Sequence, residues 1–493
     1  MTYHIITYGC QMNHSDSKKI TELLEKRGIA FNSNKKRADL IIVNACSVRQ
    51  SATDRVYGQI NELKNSSTNK KQKIILTGCL LEKDKEKLKG KNHLFFNIKN
   101  IKKLPTLLKK IMGRSPSLSP RLSFARLDSS RLVKMSHLKK NNPTLTLPLK
   151  RGGNKNDGKI QETASIFIPI SNGCNNYCSY CVVPYVRGNE THRPAQEIIY
   201  EAKRAIEQGY KEIWLLGQNV NSYQSRAKGR NRMCHPEFIS GSKNKQILKP
   251  FDLAQGGQVQ NDSVINFPKL LKKINDLPGD FWIKFISSHP KDMSDELINT
   301  IAKCDKICKY IHLPIQSGDN TILEKMNRRY TIGHYKNLVK KIRAKIPDTA
   351  ISTDIIVGFP GETKKQFANT AKLMREIKFD MAYLSQYSPR ANTKAFALSD
   401  NITKQEKKQR EEILNNILKK TALQNNKKYI GKTVKVLIEK IDNNIATGKT
   451  ATHKTVKIKI NKKETDKINE NDFINAEITD AGSWGLSGEM ISN

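Results

Sequence analysis

The sequence predicts an α/β protein in three folded parts: an N-terminal doubly wound parallel α/β domain, a partial TIM-like (β/α)6 barrel, and a small C-terminal antiparallel β-barrel. Three observations lead there. Short runs of β-branched apolar residues alternate with helical stretches over most of the chain, the pattern of a parallel sheet. Two segments rich in Ser, Pro, Gly and Asn interrupt that alternation. Beyond residue 428 the chain changes to short alternating runs separated by Gly and Asn.

Residues 1–114 form the first unit. HIITYGC, DLIIVNAC and KIILTGC each read as a buried parallel strand followed at once by a cysteine. Helices are expected over residues 15–27, opened by a Ser/Asp cap and closed by Gly28, and over residues 48–63. Residues 115–159 show no sustained period and read as a linker enlarged by an insertion.

Residues 160–400 resume the alternation. SIFIPI, EIWLLG, WIKFIS, YIHLPI, AISTDIIVG and MAYLSQYS supply six strands, and the helices expected between them cover residues 195–208, 267–276, 295–302, 333–344 and 364–377. Loops at the carboxyl ends of such strands build the site. Residues 226–264 do not belong to the pattern: they interrupt a strand-to-helix connection and lack a period, so Cys234 and His235 within them are read as incidental rather than as ligands. Residues 401–427 form a connecting helix, with Thr403 and Glu406 as a capping box and Ile413, Leu414, Ile417 and Leu418 as an apolar stripe. Residues 428–493 carry TVKVLIE, TVKIKI and DFINAEITD, consistent with a small barrel of a kind that binds nucleic acid.

Length and charge narrow the class. At 493 residues the chain has room for two to four domains. Its net charge of +41 favours a polyanionic partner such as RNA, although a composition rich in Lys, Asn and Ile supplies part of that charge without any function. No apolar run approaches membrane-spanning length and no signal pattern opens the chain, so no membrane and a cytoplasmic setting are expected. Six of the nine cysteines fall in metal-type positions, which argues against a disulfide framework.

Chemistry concentrates in GCNNYCSYC, where Cys174, Cys178 and Cys181 stand at the spacing C-x3-C-x2-C. Three thiolates can hold three corners of a cubane iron–sulfur cluster and leave one iron open for a ligand. A zinc knuckle is the competing reading, but zinc takes four ligands, commonly in two separated pairs. Cys10, Cys46 and Cys79 form a second triad. Each lies just past the carboxyl end of an expected parallel strand, so all three converge on one sheet edge, where such folds bind ligands. Three inert buried cysteines are the alternative.

The strings TYGCQMNHSDS, NACSVRQSATDRV, GCNNYCSYCVVPYVRGNETHRP, LLGQNVNSY and STDIIVGFPGET together resemble the methylthiotransferase family of radical S-adenosylmethionine (SAM) enzymes, over nearly all of the chain outside the two insertions. The resemblance implies two [4Fe-4S] clusters, a SAM-cleaving one on Cys174, Cys178 and Cys181 and an auxiliary one on Cys10, Cys46 and Cys79. It further implies SAM as cosubstrate, with Tyr180, Gln316, Ser317, Gly318 and Gly358 around it, and Glu190 and Arg193 as substrate or cofactor contacts or else a surface ion pair. The last barrel becomes a TRAM domain, the partners a tRNA anticodon loop and a low-potential electron donor, and the enzyme a monomer. CQMN and QNVNSY look most like the branch that methylthiolates carbon 2 of isopentenylated adenosine at position 37. Threonylcarbamoyl-adenosine tRNA, a ribosomal-protein aspartate, or a decayed non-catalytic RNA-binding homologue are the alternatives. Two departures stand out: Arg390, Ala391, Asn392 and Thr393 replace an Arg-Pro-Gly-Thr turn, and Lys449, Lys454 and Ser487 stand where the family has RNA-facing residues including arginine.

Overall fold

The computed structural model describes residues 1–46, 50–66, 72–90, 93–112, 164–226, 264–461 and 468–491. Cys234, His235 and almost all of both predicted insertions lie outside these residues.

The N-terminal part is one parallel sheet built from β1 (Thr2–Thr7), β2 (Ala30–Phe31), β3 (Leu40–Cys46), β4 (Lys73–Cys79) and β5 (His93–Phe95), in the order β2-β1-β3-β4-β5. β3 is buried along its whole length, which explains its unbroken apolar run. Helices α1 (Gln11–Glu25), α2 (Gln50–Ser66), α3 (Glu82–Lys87) and α4 (Leu104–Met112) follow the strands. Ile20, Leu24, Leu104 and Leu108 cover one face, and Val56, Ile60 and Leu63 cover the other, so the sheet is doubly wound as expected. The expected cap of α1 is corrected. The helix starts at Gln11, and Ser15 and Asp16 are buried inside it. Tyr8, Gly9 and Cys10 alone separate the strand from the helix, and Cys10 takes the N-cap position.

The middle part has the six expected strands, all parallel within two three-stranded sheets. β6 (Ser165–Pro169) leads through the short pair β7 (Ser171–Asn172) and β8 (Thr191–His192) to β9 (Glu212–Leu216), and β12 (Trp282–Phe285) completes the first sheet in the order β12-β9-β6. Between β9 and β12, β10 (Gln224–Arg226) and β11 (Val264–Asn266) pair antiparallel. The second sheet runs β13 (Tyr310–His312), β14 (Ala350–Val357), β15 (Met381–Gln386). A bridge from Ile283 to Ile307, with the Cys308 amide donating to the Ile283 carbonyl at 3.0 Å, joins the sheets into one arc. Helices α5 (Val183–Arg187), α6 (Ala195–Glu207), α7 (Phe267–Asn275), α8 (Asp295–Lys303), α9 (Asn320–Lys325), α10 (Ile332–Lys345) and α11 (Lys364–Ile377) connect the strands. Strand alternation divides β9: Ile213 and Leu215 face the helices, while Trp214 and Leu216 meet Phe167, Ile286 and Met12 of α1. α1 lies against β6, so the N-terminal part closes over that side of the arc.

Helix α12 (Lys404–Lys427) packs on α11 and β15 and reaches the C-terminal barrel. Thr403 caps it through the Glu406 amide, but Glu406 turns its carboxylate to Arg410, so only half of the expected box exists. Leu414, Ile417 and Leu418 are buried, whereas Ile413 faces outward. The last part is a closed barrel of β16 (Thr433–Asp442), β17 (Ile445–Thr450), β18 (Thr455–Lys459), β19 (Phe473–Gly482) and β20 (Gly485–Met490). The β18–β20 pairing is parallel. Five strands in a closed ring cannot alternate direction throughout, so an all-antiparallel barrel is excluded by the count.

Candidate active site at the carboxyl edges of two sheets

Cys46 and Cys79 end β3 and β4 and are direct register partners. Cys10 lies just past the neighbouring strand β1 and begins α1. Two glycines make this approach possible. At Gly9 (φ +131°) a Cβ would fall 2.8 Å from Cys46 Cβ, and at Gly78 (φ +97°) it would fall 2.3 Å from the Ala45 carbonyl oxygen. Asn13, fully buried on α1, fixes the edge: its Nδ2 donates to the Tyr8 and Ala45 carbonyls and to Asn44, and its Oδ1 faces Cys10 Sγ at 3.6 Å and Cys79 Sγ at 4.0 Å.

The other triad sits on the loop after β6. Gly173 (φ +81°) is pressed against Asn189, where a Cβ would lie 2.2 Å from a carbonyl oxygen. The end of α9 braces the loop. Asn327 Nδ2 donates to the Asn176 and Tyr177 carbonyls, Ser179 donates to the Lys325 carbonyl at 2.7 Å, and Arg328 reaches Cys178 Sγ at 3.5 Å. All eight described cysteines are free. Burial pushes Cys79 and Cys181 up to about 12, with the neighbouring thiols adding to the rise and, at Cys79, the Arg187 cation opposing it. Such thiols become thiolates only beside positive charge, which an iron cluster supplies, and sulfur is the donor such clusters take. The donor chemistry of each triad suits such a cluster, while among the described residues no three of these side chains converge closely enough to hold a single metal ion.

Arg187, the last residue of the helix α5 that follows Cys181, reaches the N-terminal triad: its guanidinium donates to Cys79 Sγ at 2.9 Å and to Asp16 at 2.9 Å. Sequence reading missed it, because its partners lie more than 100 residues away in the chain.

Polar atoms left without partners mark the same region. Among the described residues, Ser171 Oγ follows β6, Gln218 Oε1, Asn219 Oδ1 and Asn221 Oδ1 follow β9, and Ser288 Oγ follows β12; each is buried and unpaired, as are Thr77 Oγ1 and His14 Nδ1 in the N-terminal part. Unsatisfied buried groups are costly, and although Asn426 Oδ1 on α12 is another, the five that follow β6, β9 and β12 lie where such folds bind ligands. Ser287 (φ +69°) and Gln316 (φ +71°) hold strained backbone at the same edge. Below it, His312 contacts Ser352 Oγ at 2.9 Å and Asp354 at 3.4 Å.

The residues assigned to SAM take different places. Tyr180 packs with Ile322, Met326, Phe359, Tyr387 and Ala395, between the cysteine loop and GFPGE. Gln316 and Ser317 are buried beside β14, with Gln316 bonded to Asp354 and Ile356 through its backbone. Gly318 and Gly358 serve packing. A Cβ on Gly318 would lie 2.4 Å from Thr370 Cα, and on Gly358 (φ +69°) 2.4 Å from Lys407 Cγ, so the side of Gly358 is filled by α12. Glu190 turns inward to Ser222 and His192, while Arg193 pairs with Glu201 at 2.9 Å and with the Pro169 carbonyl. Asn392 takes φ +69°, the left-handed position that a glycine would favour, so the turn at residues 390–393 persists despite its substitutions.

Comparison with known proteins places the chain in a family. Residues 168–374 match the Radical SAM superfamily, and residues 2–97 match Uncharacterized protein family UPF0004. The solved radical S-adenosylmethionine methyltransferase TsrM of Kitasatospora setae aligns with 80% of this chain and 74% of its own, at 14% identity and a TM-score of 0.49. A tRNA-2-methylthio-N(6)-dimethylallyladenosine synthase of Thermoanaerobacter pseudethanolicus is 38% identical over 99% of this chain and 92% of its own. One of Finegoldia magna is 36% identical over 99% and 94%. Identity of this order, sustained from end to end and spanning both cysteine triads, means that the chain belongs to the tRNA-2-methylthio-N(6)-dimethylallyladenosine synthase family of radical SAM enzymes.

Proposed function

We propose that the chain adds a methylthio group to carbon 2 of N6-isopentenyladenosine at position 37 of tRNA, using SAM and two [4Fe-4S] clusters. The observation that supports the reading is Arg187, which follows Cys181 of one thiol triad in the chain and donates to Cys79 Sγ of the other. When bound, SAM and its cluster supply one-electron chemistry that removes hydrogen from an unactivated carbon, which acid–base side chains cannot do.

The chain's own residues bind, orient and exclude water. Cys174, Cys178 and Cys181 hold one cluster, and Asn327 and Arg328 keep their loop in place. Cys10, Cys46 and Cys79 hold the second, with Asn13 and Arg187 against their sulfurs. Tyr180 and the backbone at Gln316 and Ser317 flank SAM. The unpaired side-chain oxygens of Gln218, Asn219 and Asn221 are free to bond a base edge. Tyr177 and Tyr185, exposed and edge to face at 6.4 Å, stand beside the cysteine loop, where an unstacked anticodon-loop base would pass. The C-terminal barrel takes the role of an RNA-binding TRAM domain. A monomer in the cytoplasm, served by a low-potential electron donor, completes the reading; among the described residues no helix is long and apolar enough to cross a membrane.

Nucleoside mass spectrometry tests the substrate. Incubation with SAM, a reductant and tRNA should give the 2-methylthio product only when the isopentenyl group is present, because an apolar pocket for that group discriminates by about 1–3 kcal/mol per methylene-scale difference. Equal modification of both tRNAs, or modification of the threonylcarbamoyl form instead, would refute it.

A further inference from the structure

We propose that Arg187 is the positioning residue of the N-terminal triad: a fixed cation carried by the barrel domain that clamps Cys79 across the domain boundary and sets the reduction potential of the cluster held there. The inference rests on the two-cluster reading.

Arg187 is the last residue of α5 and only 4% exposed. All three of its nitrogens donate. Nε donates to Cys79 Sγ at 2.9 Å, Nη1 to Asn172 Oδ1 at 3.1 Å, and Nη2 to Asp16 Oδ2 at 2.9 Å and Asn13 Oδ1 at 3.3 Å. A residue serving only to tie two domains would need the carboxylate and no sulfur. Here the bond to sulfur is as short as the ion pair, and Asn13, bonded to the same guanidinium, faces both Cys10 and Cys79. A planar group with donors in fixed directions can hold this geometry, which a lysine cannot. The position also links the two halves of the site in the chain: the helix that begins just past Cys181 delivers its terminal charge to the other triad.

A cation and an N–H donor against a cluster sulfur favour the more negative, reduced cluster. Asp16 offsets part of that charge. The two residues should therefore act in opposite directions, which separates electrostatic positioning from a merely structural tie.

The experiment uses the full chain with Cys174, Cys178 and Cys181 replaced by Ala, reconstituted anaerobically, so that the remaining signal belongs to the N-terminal cluster. Its one-electron reduction by dithionite is followed by electron paramagnetic resonance against potential. Arg187→Gln should lower the potential, Asp16→Asn should raise it, and Arg187→Lys should fall between wild type and Arg187→Gln. Unchanged potentials, or shifts of Arg187→Gln and Asp16→Asn in the same direction, overturn the proposal. Should Arg187→Gln fail to retain iron, Asp16→Asn decides: a raised potential supports the proposal and an unchanged one overturns it. A triple-Ala parent that folds without binding iron sinks the two-cluster reading itself, a failure visible before either substitution is made.

Discussion

At the residue scale, the site depends on positions where a side chain has no room. Gly78 precedes Cys79 with φ +97°, and a Cβ there would meet the Ala45 carbonyl oxygen at 2.3 Å. The obstacle is backbone of the adjacent strand, so no flexible group can move aside. Gly78→Ala is therefore expected to cost about 1–3 kcal/mol in strain alone, seen as an earlier urea midpoint, with loss of iron from the N-terminal triad. Normal stability and iron content would show that the turn has another conformation open to it. Residue chemistry was unevenly legible. The six cysteines could be found because their spacing, or their place after a strand, is local in sequence. Arg187, Asn13 and Arg328 could not, since an arginine or asparagine looks ordinary in sequence until the fold supplies the sulfur beside it. At Gly358 (φ +69°) the structure adds a packing role that the sequence did not show, since the space a Cβ would take belongs to Lys407.

At the element scale, the strands with the longest apolar runs were legible, β3 most of all because burial on both faces leaves a continuous run. β17 and β20 were not: IATGKT and GLSGEM are short, and their glycines let Leu437 and Glu477 of neighbouring strands approach closely. The short α5 and α9 escaped for want of a full helical period. The pairing of β10 with β11 explains how a long insertion is tolerated, since it returns the chain to its starting point. Replacing residues 227–263 by a short Gly/Ser bridge should leave iron content and SAM cleavage intact; loss of both in a folded protein would show that the segment contributes to the site. β9 and β12 carry a second dependence. Glu212 and Lys284 form a buried ion pair, with Ser165 and Trp214 also donating to the carboxylate. Burial opposes the Glu212 carboxylate, but Lys284 and these donors outweigh it and its pKa is lowered; burial likewise opposes the Lys284 ammonium, Glu212 outweighs it, and its pKa is raised. The pair thus stabilises between the ordinary carboxylate and lysine ranges, about 4.3 and 10.4. That stability is lost as pH falls through the lowered Glu212 value or rises through the raised Lys284 value. Glu212→Gln should cost about 3–5 kcal/mol at neutral pH, and the deficit in denaturant unfolding should shrink once the medium is acid enough to protonate Glu212 in the parent.

At the scale of the whole molecule, a charge of +41 and a C-terminal barrel do not by themselves say which lysines meet RNA. Lys454 stands where the family carries an RNA-facing residue, yet its Nζ bonds Asp380 at 2.6 Å with the side chain 9% exposed, and Asp380 also accepts from the Ile351 amide at the start of β14. Lys454 therefore ties the last barrel to the middle one. Around it, His453 packs against Tyr310 and Trp214 from the same turn, and Trp282 meets Phe473. Lys457 and Lys459, by contrast, alternate outward along β18 between the buried Val456 and Ile458, and both are exposed. The two classes should separate in the salt dependence of tRNA binding. Removing one cation that neutralises a phosphate lowers the slope of log affinity against log salt by about 0.7 for single-stranded and 0.9 for duplex nucleic acid. Replacing Lys457 and Lys459 with Gln should reduce the slope by roughly that amount per residue while leaving thermal stability unchanged. Lys454→Met should leave the slope as it is and instead loosen the last barrel, seen as faster proteolysis between the middle and C-terminal parts. The opposite pattern, with Lys454 changing the slope and the β18 pair changing nothing, would place the RNA on the face that the structure buries, and the docking of the two barrels would then have to open for the substrate to bind.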